Sequence, residues 1–333
     1  MTGALTTGRL TSRLALPPVV RFIAMRVLAG VATMWAVTAL LFFSINMLPG
    51  DPAAAALGSS VTKEQLAQYR IQFGLNRPIL HRYLEWLAGV LHGDLGRSFP
   101  SGTPVTELLG GRFGYTALLA VLTLAVLVPV GVGLGIASGT REGGRIDRIV
   151  SSVTLILAAT PEFVIAAGLM LLLAVWIPVF PRVSLIDGSS PIGGQLRVFV
   201  LPALTLVAAG AAQTCRMVRA CVIDVLEQPY IAMARLKGVP ERQVIWRHAL
   251  PNALGPTLQV IAINLGWLFG GVVVVEAVFE FPGIGRALTQ AVSERDVNVV
   301  QSLALLITAV FVIGSVAADI AASVLNPRLR RSM

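Results

Sequence analysis

The sequence predicts an all-α integral membrane protein, with six transmembrane helices and an external cap between the first two. Three observations lead there. Apolar residues make up 55% of the chain and gather into runs that reach about 20 residues or more, enough to cross a bilayer. Mean hydropathy is +0.78 and only 13% of the 333 residues are charged, which argues against a soluble globular domain. The basic residues collect in alternate connections between the apolar runs.

Taken in order, residues 1–21 contain Arg9, Arg13 and Arg21, no acid, and the Pro17-Pro18 break. They read as a cytoplasmic tail. Residues 22–48 form the first span. A cleaved signal peptide is the competing reading, since Ala53 to Ala56 offers small residues for cleavage, but the apolar core exceeds the roughly 7–15 residues of such a segment. Leu48-Pro49-Gly50-Asp51-Pro52 stops the span, because two prolines and a glycine do not continue a helix.

Residues 49–114 are mostly polar and too few for a catalytic domain with a large core of its own. They read as an extracytoplasmic cap, with a helical piece over residues 63–73 and an amphipathic run at Tyr83–Leu87. Tyr83 and Trp86 are of the type that settles at a membrane interface. The second span covers 115–138, where Gly131, Gly133 and Gly135 either permit close helix approach or loosen a helix end. The third, 149–175, is interrupted at Pro161-Glu162. The fourth and fifth cover 199–220 and 254–278, and the sixth covers 299–325 within a core of residues 115–325. Asn326-Pro327 then opens a tail of residues 326–333.

Orientation follows from the basic residues. With both termini cytoplasmic, sixteen Lys and Arg fall inside and ten outside, giving balances of +10 and zero. That is the pattern of the positive-inside rule. The net charge of +9 is therefore a topology signal, and nucleic acid is not needed to explain it. Cys215 and Cys221 sit six residues apart, on different faces of a helix, and form no disulfide framework. His81, His92 and His248 have no metal-ligand spacing.

The most polar run between apolar segments is 223–253, on the predicted cytoplasmic side. Gly238-Val239-Pro240 divides it into two short helices, since glycine permits positive φ at a helix end and proline suits a first turn. Ala232-Met233-Ala234, then Gly238 after three residues, then His248-Ala249-Leu250-Pro251 after nine more resemble the EAA loop of ATP-binding-cassette importer permeases. Ala232 stands where that family has Glu, and His248 where it has Ile. The resemblance continues in Leu75-Asn76-Arg77-Pro78, Gly93 to Ser98, Leu201-Pro202-Ala203, Val275 to Phe279 and Pro282 to Arg286. The chain is thus similar to the dipeptide, oligopeptide and nickel branch along nearly its whole length.

That resemblance implies the type I importer permease (MetI-like) fold in a bacterial or archaeal cytoplasmic membrane. It also implies a second homologous permease subunit, two cytoplasmic ATPases that carry ATP and Mg, and an extracytoplasmic solute-binding protein. Short peptides are the expected substrates, with nickel chelates, glutathione or another small solute as alternatives. Coupling to the ATPases is expected through Ala232, Ala234, Arg235, Lys237, Gly238, Glu241, Arg242, Leu250 and Pro251.

No P-loop is available to the chain itself, because neither Lys63 nor Lys237 follows a glycine as that motif requires. No catalytic residue, resident cofactor or metal is expected. Within the spans, Glu162, Gln213 and Asn264 are candidates for the translocation path. An ionised side chain at bilayer centre costs about 3 kcal/mol, so Glu162 either faces a polar cavity or a partner, or is protonated, or sits near the water interface, or partners the backbone groups freed beside Pro161. Asp319 is expected to pair with an arginine such as Arg219. A secondary transporter would show matched helix breaks in two inverted halves, and a channel would show charged rings or a carbonyl filter. Neither pattern is present.

Overall fold

A helix occupies each of the six apolar segments. The computed structural model describes residues 18–47, 52–57, 61–184 and 192–325. Its helices are α1 (Pro18–Met47), α2 (Pro52–Leu57), α3 (Lys63–Gln72), α4 (Ile79–Leu91), α5 (Val105–Gly139), α6 (Arg145–Ala159) and α7 (Glu162–Met170), the last running on as a π-helical turn over Leu171–Trp176. Then come α8 (Ile192–Leu226), α9 (Pro229–Leu236) and α10 (Glu241–Gln243), which runs on as a second π-helical turn over Val244–Ala249. The chain continues with α11 (Leu250–Val278), α12 (Ile284–Ser293) and α13 (Val297–Leu325). Among the described residues there is no sheet, only an isolated bridge between Arg97 and Pro104. The tails 1–17 and 326–333, residues 48–51 of the first break, and Asp187 lie outside the described residues.

Among the described residues, four helices are long and apolar enough to cross a membrane: α1 over Ile23–Met47, α5, α8 over Leu196–Leu226, and α13 over Val297–Ala317. The α6–α7 pair passes the same test jointly, although it is bent by 105°. The sequence explains the bend. Thr160 precedes a proline and is pushed to extended backbone, φ −93° and ψ 126°, because the proline ring disfavours the helical region there. Pro161 then starts α7.

Helix α8 is the centre of the bundle and packs on α5, α11, α6 and α7. Its contact with α5 is the most extensive in the chain, and glycine makes it possible. Gly131, Gly135 and Gly139 lie one above another, four residues apart, and meet Thr214, Val218 and Val222 of α8. Such stripes let backbones approach where apolar lipid offers no drive for association. Gly133, between them in sequence, faces open space. Close approach therefore accounts for two of the three glycines singled out from the sequence, together with Gly139.

An ion pair closes the end of this helix pair. Arg219 donates from Nε to Oδ1 of Asp147 at 2.6 Å and from an Nη to Oδ2 at 2.8 Å. Asp147 also accepts from the Gly143 amide at 2.9 Å and from Ser151 at 3.1 Å. Arg219 thus takes its partner from the first turn of α6. Any pairing of Asp319 with an arginine lies outside the described residues, because its side chain is not among them. Cys215 and Cys221 are free thiols, as their spacing predicts.

Two expectations for the cap change. Helix α5 begins at Val105, ten residues before the predicted span, because Val105 and Leu109 are buried against Ile284, Ala287 and Leu303. Tertiary packing overrides the polar look of Thr106, Glu107 and Arg112. Tyr83 and Trp86 do not sit at an exposed interface. They stack on each other and are buried with Phe42, Phe99 and Val297, which fastens α4 to the end of α1. The Tyr83 hydroxyl meets Thr38 Oγ1 at 3.1 Å.

Candidate functional site

The 223–253 segment folds as a hairpin rooted in the bundle. Helix α8 runs on to Leu226, and Gln228-Pro229 starts α9 with proline in its first turn, where the missing amide has no partner to lose. Gly238 turns the chain at φ +74°, the left-handed region that favours glycine. Arg235 closes the turn by donating to both carboxylate oxygens of Glu241, at 3.1 and 2.7 Å. That bond holds the Glu241 carboxyl below its ordinary value. Both side chains are about half exposed, so the pair orders the turn but adds little stability.

The two faces of the hairpin differ. Ile231, Val244 and Ala249 are buried together against Val225, Leu226, Ala234 and Val239. Leu250 is buried against Val218, Val222 and Ala253. The Leu-Pro end of the motif therefore anchors the hairpin to α8, and Pro251 stands exposed in the first turn of α11. On the outer face, Tyr230, Met233 and Leu236 follow at three-residue spacing, which aligns them on one side of α9. Leu236 is 82% exposed and Trp246, on the second limb, is 67% exposed. Lys237, Arg242 and Arg247 are exposed around them, as is Ala232. The result is an apolar ridge with a basic rim on a rigid base.

The predicted polar path residues are separated. Glu162 opens α7 at the bend and is half-buried. Its Oε2 lies 3.0 Å from where a Cβ on Gly271 would stand, and the same point is 3.3 Å from Leu206 of α8. Gln213 is seven residues further along α8, about 10 Å and two turns away on the same face, and it is exposed. The side chain of Asn264 lies outside the described residues.

A second acid was not singled out from the sequence as a site residue. Glu276 is fully buried at the end of α11. Its Oε1 accepts from Thr116 at 2.6 Å, and its Oε2 accepts from the Gly285 and Arg286 amides at 2.7 and 3.4 Å. Thr116 in turn accepts from the Ile284 amide at 2.9 Å. These amides are the unpaired donors of the first turn of α12. Gly283 is packed so tightly on Glu276 that any Cβ there would overlap the carboxylate. The signal in the sequence was the Glu276…Gly283-Ile284-Gly285 spacing, whose buried use needs Thr116 from a distant helix. Among the described residues no cluster of acids, histidines and cysteines fits a metal ion.

A family profile described as "Binding-protein-dependent transport system inner membrane component" matches residues 131–331. The N-terminal profile of the same kind of membrane component matches residues 19–120. The chain is 35% identical over 312 residues to a Sinorhizobium fredii protein named "Probable peptide ABC transporter permease protein", covering 93% of this chain and 99% of that one. It is 35% identical over 305 residues to a glutathione transport system permease protein of Pectobacterium atrosepticum, covering 92% and 97%. The Escherichia coli glutathione transport system permease protein is 32% identical over 309 residues, covering 93% and 98%.

Proposed function

The chain belongs to the inner membrane components of binding-protein-dependent transport systems, and from that premise we propose that it is one of two permease subunits of an ATP-driven importer of short peptides. One of two cytoplasmic ATPases docks on the 223–253 hairpin, the other on the second permease, and an extracytoplasmic binding protein delivers the solute. The observation that carries the coupling role is the exposed ridge of Tyr230, Met233, Leu236 and Trp246 on a base that is itself buried. Large apolar side chains grouped in this way mark a protein contact, with aromatic and arginine residues as typical anchors. The base matters as much. Ile231 and Leu250 tie the hairpin to α8, so a push on the ridge moves α8, and the Gly131–Gly139 stripe carries α5 with it. That is rigid-body rocking, the usual form of alternating access.

Both termini and the hairpin are assigned to the cytoplasm by the basic residues. The cap region, joined to the outer ends of α1 and α13, faces the binding protein. Glu162 lines the passage, since it lies where α7, α8 and α11 converge. The names of two relatives favour glutathione as a second reading of the substrate. Glutathione is itself a tripeptide with a γ-linkage, so the two readings share a peptide-like solute.

The test is reconstitution of this chain with its candidate permease partner, ATPases and binding protein in liposomes. ATP-dependent dipeptide uptake is expected, and Leu236→Asp and Trp246→Ala should release the ATPases while leaving both permeases in the membrane. Gly238→Asp should lower transport at unchanged membrane abundance. Glutathione uptake in place of dipeptide uptake moves the assignment to the second reading. ATPases retained by both ridge variants would remove the docking role, and uptake without any ATPase would overturn the importer itself.

A further inference from the structure

A cleft of about 330 Å³ opens in the cap, between the end of α3, one side of α4 and the last turns of α1. Its wall is aromatic, formed by Phe42, Phe73, Trp86 and Phe99, and its charged members are Arg77, Arg82 and Glu85. The charges are not evenly matched. Glu85 is already taken by Arg77 at 2.5 Å and by His81 at 3.1 Å. Among the described residues the partners of Arg82 are neutral: it donates to the side-chain oxygen of Asn46 at 3.2 Å, and its guanidinium lies 5.8 Å from the centre of the Phe42 ring.

Arg82 is half-buried, and burial pushes its pKa down with no acid opposing the shift. A cation withdrawn from water without a counter-charge is costly, and a ring face returns only part of that cost. The indole N–H of buried Trp86 adds a second unmet need, since it finds no acceptor among the described residues. Buried donors without partners are rare in proteins.

We propose that this cleft binds an anionic group, a carboxylate or a phosphate, which pairs with Arg82 while the apolar remainder of the molecule lies on the aromatic wall. The volume is at the lower end of small-ligand pockets, which hold about 300–1,000 Å³. One such ligand is an acidic phospholipid whose headgroup reaches the cap from beside α1. Another is a soluble aromatic or aliphatic carboxylate, such as a peptide terminus.

The experiment uses the full chain and one probe for each source: phosphatidylglycerol in phosphatidylcholine nanodiscs, and N-acetylphenylalanine in detergent. Native mass spectrometry counts retained lipid, and calorimetry reads the soluble acid. One of the two should bind, and Arg82→Gln should weaken it about tenfold or more, the worth of a charge-assisted hydrogen bond. Lipid binding alone identifies a headgroup site, and binding of N-acetylphenylalanine alone identifies a soluble-carboxylate site. A second measurement needs no variant: phenylglyoxal modification of Arg82 in the wild type should slow when the bound probe is present, while that of exposed Arg97 should not. Binding of neither probe, binding untouched by Arg82→Gln, or no protection at Arg82 would each overturn the site.

Discussion

Replacing Gly135 by alanine should destabilise the bundle, while the same change at Gly133, two residues away on the same helix, should not. A Cβ at Gly135 would stand 2.7 Å from Val218 Cβ and 2.9 Å from the Cys215 carbonyl oxygen. The first distance is roughly 0.7 Å short of the 3.4 Å at which ordinary contact begins. Neither neighbour is the loose end of a long side chain, so α5 and α8 must part. Overpacking of this kind costs about 1–3 kcal/mol. Alanine also gains about 0.5–1 kcal/mol of helix preference over glycine, but that gain is common to both variants and cancels in their difference. Gly133 has no atom within 4 Å of its would-be Cβ. Unfolding by SDS titration in mixed micelles should therefore separate the two by about 1–3 kcal/mol, with Gly133→Ala at or above wild type. Equal midpoints would refute the reasoning, because they would mean that the stripe does not set the helix separation.

Other outcomes follow from the buried polar groups. Asp147→Asn should cost about 1–3 kcal/mol in the same titration, because it weakens charge-assisted hydrogen bonds to a partly exposed arginine; Arg219→Gln added to it should cost less than the two single changes combined, which a double-mutant cycle measures. Thr116→Val strips Glu276 of one donor and leaves the Ile284 amide without its acceptor, so a loss of about 1–3 kcal/mol is expected, read as faster proteolysis around α12. Asp296 provides a test by pH. Burial raises its carboxyl above the ordinary 3.8, against the pull of its hydrogen bonds to Ser98 and the Phe99 and Val299 amides. A group whose folded pKa is raised stabilises the fold fully below its unfolded pKa, and loses that contribution as pH rises through the folded value. The stability difference between wild type and Asp296→Asn should therefore shift against the wild type as pH climbs from 3.8 towards neutrality, in hydrogen exchange of the 95–104 loop. A pH-independent difference would mean that Asp296 titrates alike in both states.

What could be read from the sequence was whatever depends on neighbours along the chain. Apolar runs locate helices because a bilayer leaves the backbone no partner but itself, and each of the six segments is helical. Pro161 located the bend and Gly238 the turn for equally local reasons. The spacing within 223–253 located a two-helix hairpin, whereas the burial of Leu250 against α8 comes from the packing, since the sequence placed Leu250 among the coupling residues. The misreadings concern side chains whose surroundings come from far away. Tyr83 and Trp86 suit an interface by type, yet Phe42 lies about 40 residues before them and buries them. Arg219 finds Asp147 in the first turn of α6, 72 residues earlier.

Glu276 shows why such partners stay hidden. As a sequence, Val275-Glu276-Ala277-Val278 places an acid at the end of an apolar run, where a solvated, membrane-edge side chain is the natural expectation. Burial succeeds because three donors converge on it, two from backbone only nine or ten residues on and one from Thr116, 160 residues before. Glycine at 283 and 285 is the precondition, since a Cβ at 283 would occupy the carboxylate's place and one at 285 would stand 2.5 Å from the Val273 Cα. The motif therefore specifies a space and a pair of amides. The residue that completes the site is a threonine within α5, indistinguishable by local sequence from Thr123 two turns further along the same helix, whose buried hydroxyl finds no partner among the described residues. Only the packing of α5 on α11 and α12 decides which of the two meets an acid.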